Sequence, residues 1–186
     1  LVLNLERFGI QMNMNLKDIL EKKTSIMVPG SYNPLHEGHL AIASYLISQG
    51  LHPVFEISKF NCSKPPISDE ELSRRATAIE KYGLDCLITN YPYIYQKILY
   101  YPMFNKICLG VDTWNRFIDP NNYPSLELRD FCVSKCKLFA DFWIMPRFGY
   151  TMINQCIDEH VIYCSDFVPL NISSTEIRNA STDSTP

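Results

Sequence analysis

With 186 residues the chain is long enough for one domain with a full core, and its apolar share of 46% and charged share of 20% are ordinary for a globular fold in water. A formal charge of −3 excludes the basic excess that general nucleic-acid or membrane-surface binding requires, so neither partner is expected. No apolar stretch nears the roughly 20 residues that span a bilayer.

Seven cysteines, an odd number scattered mainly through apolar runs, read as reduced thiols of a cytoplasmic or nuclear compartment. Cys132 and Cys136 stand four apart on one prospective helix face, but no second pair or nearby histidine completes a zinc set. The opening LVLNLERFGI is broken by Glu6 and Arg7 and makes a poor signal peptide. It begins with Leu, as a fragment of a longer chain would.

In chain order, Leu16, Ile19 and Leu20 recur at helical spacing behind Asn15, which predicts a helix over 15–23. TSIMVP, ending in Pro-Gly, predicts a buried strand over 24–29 that meets a sharp turn. A helix over 40–49 stops at Gly50, a strand covers 53–58, and a helix over 68–82 opens on acidic SDEE. Strands over 85–89, 105–109 and 139–145 alternate with helices over 93–101 and 126–137. Arg74 and Arg75 are expected to face solvent, and His52 and His160 to be structural. The alternation implies an α/β fold, a Rossmann-like doubly wound parallel sheet with helices on both faces. Residues 24–179 are read as the domain, 1–23 as an N-terminal segment with one helix packed on it, and 180–186 as a disordered polar tail.

The first chemical motif is GSYNPLHEGHL over 30–40, at the junction of the first strand and first helix of the sheet. In doubly wound folds ligands bind there, outside the carboxyl end of a strand. Gly30 permits backbone conformations closed to other residues. The amides of Ser31 and Tyr32, with the helix start, can face an anion. His36 and His39, three apart, share one helix face, and Gly38 between them leaves a ligand unobstructed. Two imidazoles at a helix N-terminus suit phosphate oxygens that gain charge during phosphoryl transfer. Alternatively, the pair is incidental or binds a metal. The second motif, NISSTEIR, offers Ser173 as a helix cap with Glu176 completing a capping box, and Arg178 as a cationic fork suited to phosphate. An ordinary capped helix with a solvated arginine would look the same in isolation.

Together, Gly-Ser-Tyr-Asn-Pro-x-His-x-Gly-His and Ile-Ser-Ser-Thr-x-Ile-Arg resemble the two signatures of the nucleotidylyltransferase superfamily, in the family's order and bracketing nearly the whole chain from Thr24. The wording is closest to the nicotinamide and nicotinate mononucleotide adenylyltransferases, with Tyr32 replacing a phenylalanine. The resemblance implies that His36 and His39 contact ATP phosphates and that the loop from Gly30 through Ser31 to Tyr32 serves the second substrate's phosphate. It implies further that Ser173, Ser174, Thr175 and Arg178 grip the triphosphate from the other side. Asp112, in Gly110-Val111-Asp112, matches the family's Gly-x-Asp, where a carboxylate can accept hydrogen bonds from adenosine; a strand-end turn with a capping Asp is the alternative. Arg147 resembles the family's Arg-x-Gly and would reach the nucleotide.

Lys64 is a candidate anion contact, and Trp114 a candidate for stacking on a pyridine or other flat ring, with core packing the alternative. Both lie in segments, Lys64-Pro65-Pro66 and DTWNRFIDPNNY, that resemble an adenylyltransferase-like subgroup of fungi, plants and protists, some of whose members are suspected of hydrolysing ATP. No nucleophile sits beside a base in the motifs, so the implied reaction is direct in-line attack by an acceptor's phosphate on the α-phosphorus of ATP. Mg²⁺ would be held mainly through ATP phosphates, with no protein metal site. The expected function is AMP transfer to nicotinamide or nicotinate mononucleotide. The alternatives are a related protein with another acceptor or ATP hydrolase activity, and a non-catalytic nucleotide-binding module.

Overall fold

The strand-forming runs are apolar on both faces, and the sheet they build is covered on both. β1 (Ser25–Pro29), β2 (His52–Ser58), β3 (Asp85–Thr89), β4 (Lys106–Gly110), β5 (Asp141–Met145) and β6 (Val161–Tyr163) form one six-stranded sheet in the order β3-β2-β1-β4-β5-β6. Every pairing is parallel. This is the doubly wound order, with its switch point between β1 and β4, where ligands bind in such folds. The computed structural model describes residues 24–61, 65–154 and 156–182. The helix expected over 15–23, Cys62 and Lys64 lie outside these.

Side chains alternate across the sheet, so each strand feeds two cores. Met27, Val54, Leu87, Leu109 and Phe142 face one way and pack with Ile98, Trp114, Phe117 and Val133 from α3 (Ile94–Tyr100), α4 (Val111–Ile118) and α5 (Leu126–Lys137). Ile26, Val28, Phe55, Ile57 and Cys108 face the other way. They meet Ala43 and Leu46 of α1 (Glu37–Ser48) and Leu72, Ala76 and Ile79 of α2 (Asp69–Glu80). α1 runs out at Gly50 and α2 at Gly83, glycines in the left-handed region (φ 74° and 71°) that close helices without a Cβ penalty. Ser68 caps α2 by accepting from the Glu71 amide at 3.2 Å.

The expected strands of β1 to β5 are matched within two residues. α1 begins three residues earlier than expected, and α4, β6 and a 3-10 turn at Pro120–Asn122 were not anticipated. The Gly110-Val111-Asp112 turn is in fact the start of α4, because Gly110 ends β4 and serves as the helix N-cap with no connecting loop. The final helix, α6 (Ser174–Thr182), enters the segment read as tail. His52 and His160 both sit at the amino-terminal edge of the sheet. His52 meets Asp85 at 2.5 Å and His160 meets Asp141 at 2.9 Å.

A buried carboxylate interrupts the apolar pattern of β2. Glu56, in the middle of β2, is 1% exposed and takes the Lys97 ammonium of α3 at 2.6 Å and the Thr89 hydroxyl of β3. Lys97 also donates to the Tyr91 carbonyl at 2.6 Å. Breaking such a pair on one side strands a buried charge. Lys97→Met is therefore expected to lower unfolding stability by about 3–5 kcal/mol in urea titrations. The double variant Glu56→Leu, Lys97→Met should recover much of that loss, and a single variant as stable as the parent would refute the pairing.

Candidate active site at the carboxyl end of the sheet

Four candidate elements converge on the carboxyl edge of β1, β4 and β5. Gly30 leaves β1 and donates its amide to the Glu56 carbonyl at 2.9 Å. Its missing side chain is a steric requirement: a Cβ would stand 2.5 Å from the Tyr32 ring. The left-handed position belongs to Tyr32 (φ 46°), not to the glycine as expected. Tyr32 turns back into the core at 2% exposure, with its hydroxyl on the Val28 carbonyl and its ring 4.9 Å from both His39 and Phe55. Its side chain is thus a wedge under the loop, while Ser31 is exposed.

His36 caps α1 in extended conformation (φ −145°, ψ 170°), and His39 lies one turn on, the rings stacked at 3.8 Å. The His36 amide donates to His39 Nδ1 at 3.3 Å. An accepting Nδ1 leaves the proton of the neutral ring on Nε2, where it can be donated to a ligand. Burial first, then the Arg147 charge, lowers the His36 pKa. Burial, His36 and Arg147, in that order, bring His39 down to about 3. Both rings are accordingly neutral near pH 7 without ligand.

The second motif closes onto the first. Ser174 Oγ donates to the Pro34 carbonyl at 3.0 Å, and Arg178 donates from Nη1 to the Asn33 carbonyl and from Nη2 to Thr175 Oγ1 at 3.1 Å. A Cβ on Gly38 would stand 3.0 Å from the His36 ring and 3.2 Å from Ile172 Cγ2, so this glycine also lets the C-terminal segment approach. Ser173 caps the helix as read, its Oγ accepting from the Glu176 amide at 3.2 Å, but the Glu176 carboxylate takes the Ser173 hydroxyl at 2.8 Å in place of the backbone N–H that a capping box uses. Across β4 and β5, Asp112 on α4 accepts from Arg147 Nη1 at 2.9 Å and lies 3.6 Å from Arg116. The other carboxylate oxygen of Asp112 is buried without a partner among the described residues.

Two expectations are corrected. Trp114 is fully buried, tilted against Phe117 and Phe142 at 5.9 and 5.3 Å, so no face is left to stack on a ligand. Arg75 does not face solvent. At 8% exposure it holds Glu71 Oε1 at 2.7 Å and the Ser31 carbonyl at 3.0 Å. Arg74 is exposed as expected but reaches Asn33 Oδ1 at 3.1 Å.

No protein-family model matches the chain. It is 25% identical over 170 residues to a probable nicotinate-nucleotide adenylyltransferase of Porphyromonas gingivalis, covering 81% of this chain and 80% of that one. In fold it is similar to the Plasmodium falciparum nicotinic acid mononucleotide adenylyltransferase complexed with NaAD, with a TM-score of 0.51, 16% identity, and coverage of 83% of this chain and 82% of that one. The sheet order, the place of the motifs and this relative bear out the resemblance to the nucleotidylyltransferase superfamily. By its name, the sequence relative is an adenylyltransferase of nicotinate nucleotide.

The neutral state of the histidines has a measurable consequence. Because their folded pKa values are depressed, the unfolded chain takes up protons first as pH falls through about 6.5, and that uptake favours unfolding. Wild-type stability should therefore drop below that pH and go on dropping toward the His39 value of about 3. His39→Gln should flatten part of this decline in urea titrations at about pH 7.5 and pH 5. Equal losses in the two proteins would show that His39 is not held neutral.

Proposed function

We propose that the chain transfers AMP from ATP to nicotinate mononucleotide, or its nicotinamide counterpart, and releases pyrophosphate. The observation that carries this reading is the closure of residues 172–178 onto the 30–39 loop, which gathers two stacked imidazoles, a guanidinium and a helix start at the switch point of the sheet.

In the proposed reaction an oxygen of the acceptor's phosphate attacks the α-phosphorus, the bond to the bridging oxygen of the β-phosphate breaks, and pyrophosphate departs with that electron pair. Two anions must meet, so the work is positioning and charge neutralisation. His39 Nε2–H and His36 donate to phosphate oxygens. A bound triphosphate would raise their pKa values again, since its negative charge opposes the Arg147 field. Arg178 and the hydroxyls of Ser173, Ser174 and Thr175 face the triphosphate from the opposite side, and Asp112 receives the adenosine. Imidazoles and a guanidinium are not the oxygen donors that Mg²⁺ prefers, which fits a cation carried mainly on the triphosphate; when bound it would neutralise the phosphate oxygens.

Incubation with ATP, Mg²⁺ and each mononucleotide tests the reading: dinucleotide plus pyrophosphate supports it. ADP plus phosphate would instead indicate an ATP hydrolase, and binding without turnover a non-catalytic module. His39→Ala should fold normally and lower kcat by about 10²–10³, the usual loss on removing one donor to developing charge. Near-parental transfer by that variant would refute its role.

A further inference from the structure

We infer that Arg75 is a positioning residue for the acceptor's phosphate, acting through the main chain of the Ser31–Tyr32 peptide. The inference rests on the transferase reading. Arg75 lies on the core-facing stripe of α2 with Leu72, Ala76 and Ile79, where an apolar side chain would be cheaper. Its guanidinium is spent on two partners instead: Glu71, one turn back on the same helix, and the Ser31 carbonyl. Glu71 is itself held by Arg74 through Nε at 2.7 Å and Nη2 at 2.8 Å, and Arg74 reaches on to Asn33 Oδ1. α2 thus grips the motif loop at two points, from a base packed into the core.

A trans peptide sets its N–H opposite its C=O. Anchoring the Ser31 carbonyl toward α2 therefore fixes the Tyr32 N–H pointing away from α2. With Tyr32 wedged beneath and Gly30 tied to Glu56, the peptide plane has no freedom to rotate. An oriented amide is what a phosphate monoester needs. Among the described residues, Arg75 bonds to Glu71 and the Ser31 carbonyl and to none of the groups on the ATP side of the site, His36, His39 and α6. Arg75 should therefore affect one substrate and spare the other.

Arg75→Lys keeps the charge but replaces the separate Nε and Nη1 donors that reach Glu71 and the Ser31 carbonyl with one shorter-reaching ammonium, so the two bonds are not both kept at their present geometry. In steady-state kinetics with both substrates varied, Arg75→Lys is expected to raise KM for the mononucleotide about tenfold, the worth of one charge-assisted hydrogen bond. KM for ATP should stay within about twofold. Glu71→Gln, which loosens Arg75 without removing it, should shift the same constant in the same direction by less. It keeps the test open if the Lys variant fails to fold. An unchanged mononucleotide KM, or equal rises for both substrates alongside a lowered Tm, overturns the inference while leaving the transferase reading intact. A wild-type protein that makes no dinucleotide overturns both.

Discussion

The site depends on the return of the C-terminal segment to the backbone of Asn33 and Pro34. Residues 172–178 and 30–39 are separated by most of the chain. They are joined by the hydroxyl of Ser174 on the Pro34 carbonyl, the guanidinium of Arg178 on the Asn33 carbonyl, and the side chain of Ile172 against Gly38. These contacts are made to carbonyls and to a glycine, so they read the shape of the loop more than its side chains. The sheet makes the return possible: strand order places β1 centrally, and the chain comes back over its carboxyl end after β6. Without that order the same two peptides would be ordinary turns.

The electrostatics follow from the same enclosure. Packing His39 against His36 and Tyr32 removes water from the imidazoles, and burial is the first cause of both lowered pKa values. Arg147 adds to the effect from the end of β5 while it pairs with Asp112. An uncharged histidine pair beside a cation is a poor resting state for protons and a good one for an anion, whose arrival pairs the cation and favours the imidazoles' N–H donors at once. The unpartnered oxygen of Asp112 is the complementary case, an acceptor kept dry with nothing to accept from among the described residues. Leaving such a group unsatisfied is costly, and sites that meet a ligand are where that cost is carried.

Much of this was legible in the sequence, because parallel strands covered on both sides are near-continuous apolar runs, and β1 to β5 are such runs. The two motifs were legible for a similar reason: glycines, histidines and hydroxyls stood at spacings that a helix start converts into adjacency. Several buried side chains were misjudged or passed over, among them Trp114, Arg75 and Lys97, and one rule would have caught these three. Trp114 lies on the stripe Val111, Trp114, Phe117, Ile118; Arg75 on Leu72, Arg75, Ala76, Ile79; Lys97 on Ile94, Lys97, Ile98, Tyr101. Each position is core-facing by helical spacing alone. Lys and Arg are rarely buried, which masks the stripe at the two cations, and a strand-end turn at Gly110-Val111-Asp112, the alternative left open there, masks the helix that carries Trp114. The three-residue β6 carried no periodicity to read.

That Arg75 and Lys97, two of the four buried cations among the described residues, occupy core stripes is itself informative about how the carboxyl edge is held. Apolar contacts between helix and sheet are non-directional, and they tolerate small sliding and rotation. Hydrogen bonds to named oxygens do not. From one face of the sheet, Arg75 of α2 fixes the Ser31 carbonyl; from the other, Lys97 of α3 fixes Glu56 and the Tyr91 carbonyl. The two are linked through β2, since the Glu56 carbonyl receives the Gly30 amide while its carboxylate receives Lys97 and Thr89. The loop that follows β1 is therefore aligned by polar anchors arriving through both layers of helices. The desolvation of two buried cations is offset only if such alignment matters, as it does at a site whose reacting atoms must be held to about half an ångström.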